Sequence, residues 1–261
     1  MPIIKTDGGY VYKKMSKSTS FKKAKFLFLL FLVCILIFTS CFFIFSKFDI
    51  TSALSLNRYL IFETKSYYAV CVESSDNFSE VSETAQNVKL QDGAGYVFNI
   101  DNRYCVIASC YMSKDDAISV AEGINGYSAE VIEIKYDRLI TSINFSSEQI
   151  AALKHSLSVV NRAFENLYNV CLSFDRGEIL DAEARQKLQL FKEICQEDKE
   201  SLNKVFQNNF ESLVTRVKIF QSEVISNISM LLISKNLSCD IKYSMVSILD
   251  SFLALQKNIK K

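Results

Sequence analysis

Hydrophobic positions along this chain follow three successive rhythms. In residues 26–46, FLFLLFLVCILIFTSCFFIFS, there is no charged residue in 21 positions. At about 1.5 Å of rise per residue such a helix is roughly 30 Å long, the thickness of a bilayer core, and this predicts one transmembrane helix. From residue 67 the rhythm turns to short runs of β-formers alternating with helical spacings. YYAVCV (67–72) reads as a strand. NFSEVSETAQNVKLQDG (77–93) reads as a helix, with Phe78, Val81, Ala85 and Val88 three and four apart. AGYVFNI (94–100) and RYCVIASCY (103–111) read as a hairpin turning at DN. SKDDAISVAEGING (113–126) reads as a second helix, with Ser113 as N-cap and Asp115 and Asp116 in its first turn. YSAEVIEIKY (127–136) reads as a fourth strand. Beyond residue 145 the period stays helical to the end.

The middle order, β-α-β-β-α-β, predicts a split βαβ, ferredoxin-like sheet with both helices on one face. Val70, Val72, Val106 and Ala108 then face those helices. The open face carries Ala69, Cys71, Glu73, Cys105, Ile107 and Ser109, with Tyr96 or Val97 and Glu130 or Ile132 from the outer strands. This face is either a binding surface or the seat of another segment. In the last stretch, Ser146 and Gln149 have capping-box spacing. Ile150, Leu153, Leu157, Val160, Phe164, Leu167 and Cys171 form one stripe, and DRG (175–177) breaks it. Leu188, Phe191, Cys195, Leu202, Val205, Leu213, Val217, Phe220, Val224, Ile228 and Leu231 form a second, and 240–259 a last helix. The pattern predicts an all-α hairpin or small bundle with coiled-coil character. The fold class is therefore α+β: a basic tail (1–25), a transmembrane helix (26–46), a connector with no assigned structure (47–65), an α+β domain (66–137) and a helical region (146–261).

Charge orients this arrangement. Residues 1–46 hold seven lysines against Asp7, a balance of +6, which leaves −5 on the rest against the total of +1. Lysines crowd before the apolar run, so the positive-inside rule keeps the N-terminus cytoplasmic and places the body outside the cell membrane. The lipid bilayer is thus an expected partner. FTSC (38–41) loosely matches a lipobox ending at Cys41, but the apolar run continues past the cysteine. An acidic body is a poor ligand for polyanions, so nucleic acid is excluded as a partner.

Catalytic chemistry finds no support in the motifs. The sole histidine, His155, lies in a helical pattern between Leu153 and Leu157, and no phosphate loop, nucleophile elbow or metal-ligand spacing occurs. The expectation is a non-enzyme without cofactor, metal or catalytic residues. Six cysteines lie beyond the apolar run, an even number that permits disulfides. Cys71 and Cys105 fall on adjacent strands, either as a bridge or as two small half-buried side chains.

YYAVCVESS (67–75) and YCVIASCYMSKDDAISVAEGI (104–124) resemble the first strand, and the third strand with its helix, of the SPOR domain of bacterial division and sporulation proteins. Ala117 stands at the family's helical alanine, and SKDDA is similar to its skeeA. Cys71 replaces a frequent glutamine, Glu73 and Ser109 replace glycines, and Ser75 replaces phenylalanine. The resemblance implies a bitopic cell-envelope protein that binds peptidoglycan glycan strands without catalysis, at division or sporulation sites. It assigns glycan binding to Cys71, Glu73, Tyr96, Cys105, Ile107 and Ser109. The rival expectation is a membrane-anchored scaffold with a degenerate SPOR-like domain, whose C-terminal helices join a homo-oligomer or a protein partner.

Overall fold

The structure, a computed structural model, describes residues 5–6, 9–10, 59–100, 102–207 and 211–259. The chain divides into two compact units, Met1–Leu56 and Asn57–Lys261. In the first, β1 (Lys5–Thr6) pairs antiparallel with β2 (Gly9–Tyr10).

A four-stranded antiparallel sheet forms the middle layer. Its strands are β4 (Lys65–Ser75), β5 (Tyr96–Ile100), β6 (Arg103–Tyr111) and β7 (Glu130–Tyr136), in spatial order β5-β6-β4-β7. Two helices, α1 (Phe78–Leu90) and α2 (Lys114–Gly123), close the two crossovers on one face. Asn77 caps α1 by accepting from the Ser79 amide at 3.0 Å, and Ser113 caps α2 by accepting from the Asp116 amide at 3.3 Å. After α1 the chain turns through Asp92 at φ +62° and Gly95 at φ +57°. A side chain at Gly95 would put its Cβ 2.2 Å from the Ala85 carbonyl oxygen, so only glycine lets the turn press onto α1. Val81, Ala85 and Val88 of α1 pack on Val72, Val106 and Ala108 of the sheet in a small separate core.

Five helices form the layer on the other face: α3 (Ser147–Asn161), α4 (Ala163–Asp175), α5 (Asp181–Val205), α6 (Ser212–Leu231) and α7 (Leu237–Ile259). Each buries one apolar stripe, because stripes of this width are stable only against another layer. Ser146 and Gln149 form a reciprocal capping box at the start of α3. Gly177, at φ +69°, follows the end of α4. A second, two-stranded ribbon joins β3 (Tyr59–Phe62) to β8 (Leu139–Ser142), Phe62 opposite Leu139. Leu60 and Phe62 turn inward and Tyr59 and Ile61 outward, the alternation of a half-buried strand.

Polar contacts fasten the helical layer to the sheet layer. The Lys242 ammonium of α7 lies 2.9 Å from the Asp175 carboxylate and donates to the Asp92 carbonyl at 3.1 Å. Burial opposes its charge, but the hydrogen bond and charge of Asp175 together with Cys171 and Tyr111 outweigh burial, and its pKa is raised. Asn236 donates to the Asp92 carboxylate at 2.7 Å, and the Cys239 thiol to the Gly93 carbonyl at 3.1 Å.

The expected fold class needs correction. The βαββαβ segment and the helical region, expected as an α+β domain followed by an all-α hairpin or small bundle, form one α+β unit, in which helix, sheet and helix are stacked around two cores. Among the described residues no helix is long and apolar enough to cross a membrane. The reason is local: the long helices alternate buried apolar and exposed charged positions, as in α5, where Leu188, Phe191 and Cys195 are buried and Lys187, Lys192 and Glu193 are not. The predicted span, 26–46, lies outside the described residues. The connector drawn over 47–65 contains β3 at its end, and α3 and α4 divide at Arg162, where a continuous stripe had predicted one helix.

Candidate functional site

Two places are concave or chemically suggestive enough to consider: the sheet face assigned to glycan, and a cleft beside β3. On the sheet, directly opposed residues of neighbouring strands share a face. Cys71 stands opposite Ile107, and Ile107 opposite Tyr96. Cys105 joins Cys71 and Ile107 in the large core, and Tyr96 packs against it. These four are brought together. Glu73 and Ser109 are not. An extra residue in each central strand, Val72 in β4 and Ala108 in β6, bulges the ladder and reverses the alternation beyond it. Glu73 consequently stands opposite Val106, in the small core, and Ser109 lines a recess with Val88 of α1 and Val120 of α2. For these two residues, placement on the glycan face is corrected: one inserted residue moves every later side chain to the other side.

The face is not open. Cys71 is 1% exposed, Cys105 4% and Ile107 0%. Helix α7 packs across it, and tyrosines from opposite edges of the sheet converge on one turn of that helix. The Tyr96 hydroxyl donates to the Asp250 carboxylate at 2.8 Å, and the Tyr136 hydroxyl to the Leu249 carbonyl at 3.1 Å. The Tyr96 ring, which a glycan would need as a platform, meets Tyr243 edge-on at 5.0 Å. Burial, followed by the Asp250 bond, pushes the Tyr96 pKa above its ordinary value.

All six described cysteines are free thiols and buried. Burial, with neighbouring Cys105 adding to it, pushes the Cys71 pKa up to about 12. Burial likewise carries Cys171 and Cys195 to about 12, in each case with a nearby aspartate. A nucleophilic cysteine needs the opposite shift, toward the thiolate at neutral pH. His155 is mostly exposed, its Nε2 3.6 Å from the carboxylate of Asp198. Asp198 is itself buried and accepts from Gln221 Nε2 at 2.6 Å, a polar seam between α3, α5 and α6. The second apolar stripe of the C-terminal helices, which the rival expectation would turn toward a homo-oligomer or a protein partner, faces inward: Leu188, Phe191, Cys195, Leu202, Val217, Phe220, Val224, Ile228 and Leu231 are buried in the core.

The cleft has a volume of about 400 Å³ and lies between β3, the C-terminal half of α3, the start of α4, and α7. Leu157, Val160, Phe164, Phe220, Leu249 and Phe252 supply apolar walls, and Phe62 meets Phe252 at 6.2 Å. Four charged residues besides these line it: Glu63, Lys65, Lys154 and Arg162. Glu63 is 4.0 Å from Arg138, and Lys65 2.7 Å from Glu165. Lys154 and Arg162 have no acid partner among the described residues. Lys154, Ser158, Asn161 and Arg162 recur at helical spacing along one side of α3 and its end, a mark in the sequence that becomes a cleft wall only when β3 stands opposite.

Compared with protein-family models, curated proteins and solved structures, the chain gives no match, and nothing in these comparisons identifies a SPOR domain.

Proposed function

We propose that residues 57–261 act as a non-catalytic interaction module at the cell envelope, held at the membrane by the apolar stretch 26–46. In this reading a SPOR-like βαββαβ segment has given its glycan-facing surface to its own helical layer. It scaffolds protein partners and does not bind peptidoglycan. The observation that carries the reading is the seating of α7 on the sheet through Tyr96–Asp250 and Tyr136–Leu249, with Cys71, Cys105 and Ile107 buried beneath it. A shallow polar polymer cannot reach those side chains without displacing a packed helix, and burying unmatched polar groups there is costly. The raised thiol pKa values support a non-catalytic role. Leu190 and Ile194, exposed one turn apart on α5, offer an apolar contact to a partner.

The test is co-sedimentation of the full-length protein, in detergent, with sacculi that are intact or stripped of stem peptides. The reading predicts no retention beyond that of a non-binding control on either. Retention that rises on stripped sacculi and falls in Tyr96→Ala would overturn it in favour of a working glycan face.

A further inference from the structure

We infer that the cleft beside β3 binds a long-chain amphiphile with an anionic head group. Its volume, about 400 Å³, falls within the roughly 300–1,000 Å³ usual for small-molecule sites. Its walls are aliphatic and aromatic, from Leu157, Val160 and Phe164 on one side and Leu249 and Phe252 on the other. Water in such a space gains few hydrogen bonds, and an alkyl chain that replaces it removes apolar surface from water on both partners. A sugar or a nucleotide base would lose hydration there without enough donors and acceptors to restore it.

The mouth selects the head group. Glu63 and Lys65 have their charges answered by Arg138 and Glu165. Lys154 and Arg162 are exposed and have no acid partner among the described residues. Arg162 Nε donates to the Ser158 carbonyl at 3.3 Å, which leaves the rest of the guanidinium fork for an oxyanion. Two uncompensated cations on an apolar cleft complement a carboxylate or phosphate at the end of a chain. This inference does not rest on the interaction-module reading and survives its failure.

Photolabelling with a diazirine-bearing palmitate tests it, using the full-length protein in phosphatidylcholine nanodiscs and peptide mapping by mass spectrometry. Adducts are expected on β3 and on the turn of α7 around Leu249 and Phe252. Palmitate should compete, and hexadecanol and hexadecylamine should not. The double variant Lys154→Gln/Arg162→Gln, at two exposed positions, should lower cleft labelling about tenfold, equivalent to roughly 1.4 kcal/mol. Labelling of the 26–46 stretch should stay unchanged. Adducts confined to 26–46, equal competition by the alcohol or the amine, or undiminished cleft labelling in the double variant would each overturn the inference.

Discussion

The two faces of the four-stranded sheet are built from the same strands and have different histories in the chain. On one, α1 and α2 return within a few residues of the strands they cover, and a handful of valines and alanines complete the contact. On the other, the helix that crosses the sheet, α7, comes from residues more than a hundred positions away, and the core is larger, more aromatic and polar at chosen points. The first is a local crossover required by topology. The second decides what the sheet can do, because it removes the surface on which a ligand-binding reading depends.

Breaking either face should show this asymmetry. The largest effect is expected from pH. The buried acids with raised pKa values that lie in or against the large core include Tyr67, Cys71, Tyr96, Cys110, Tyr136, Cys171 and Cys195. In each, burial is the leading cause. A folded-state pKa above the unfolded value means that the folded protein holds these protons more tightly. Their contribution is complete below the ordinary cysteine value of 9.0 and is lost as pH rises toward the folded values near 12 for Cys71, Cys171 and Cys195. Urea midpoints should be level from neutral pH to just below that onset and fall progressively above it. A level midpoint across the alkaline range would contradict the burial of these groups.

Next comes a pair of neighbours on opposite faces. Ile107→Ala, under the helical layer, should cost about 2–5 kcal/mol in urea denaturation. Val106→Ala, under α1, should cost about 1.5–3 kcal/mol, the smaller side chain having less to lose. Arg185→Ala sharpens the comparison within the helical layer. The Arg185 guanidinium pairs with Asp181 and donates to the carbonyls of Leu231, Leu232 and Ser234, closing the end of α6. Its removal should cost about 1–3 kcal/mol, since several carbonyls lose a charged donor and water reaches only part of the gap. The smallest change is Tyr96→Phe, which removes the hydroxyl shared by Asp250 and Ser247 and should lower stability by about 0.5–1.5 kcal/mol.

Legibility in the sequence follows the same division. The βαββαβ order, the Asn77–Gln91 helix region, the Ser146 capping box and the stop at Gly177 all leave marks within a few residues of themselves. What was missed depends on distant partners or on backbone features without a residue signature. The bulges at Val72 and Ala108 involve no glycine, so nothing announced that Glu73 and Ser109 would change face. Strand β3 is four residues long and finds its partner, β8, about eighty positions later. The break at Arg162 contains neither glycine nor proline. The cover over Cys71 and Ile107 was one of two fates open to an apolar face, and only the arrival of α7 decides between them.

The most direct measurement is native-state hydrogen exchange of the full-length protein across low denaturant concentrations. If the sheet and its helical cover are one cooperative unit, amides at Cys71 and Ile107 and those at Leu249 and Phe252 should open with the same free energy and the same denaturant dependence. If the α7 amides open at much lower free energy while β4 and β6 stay protected, α7 is a detachable cover. The account of a permanently closed sheet face would then be wrong.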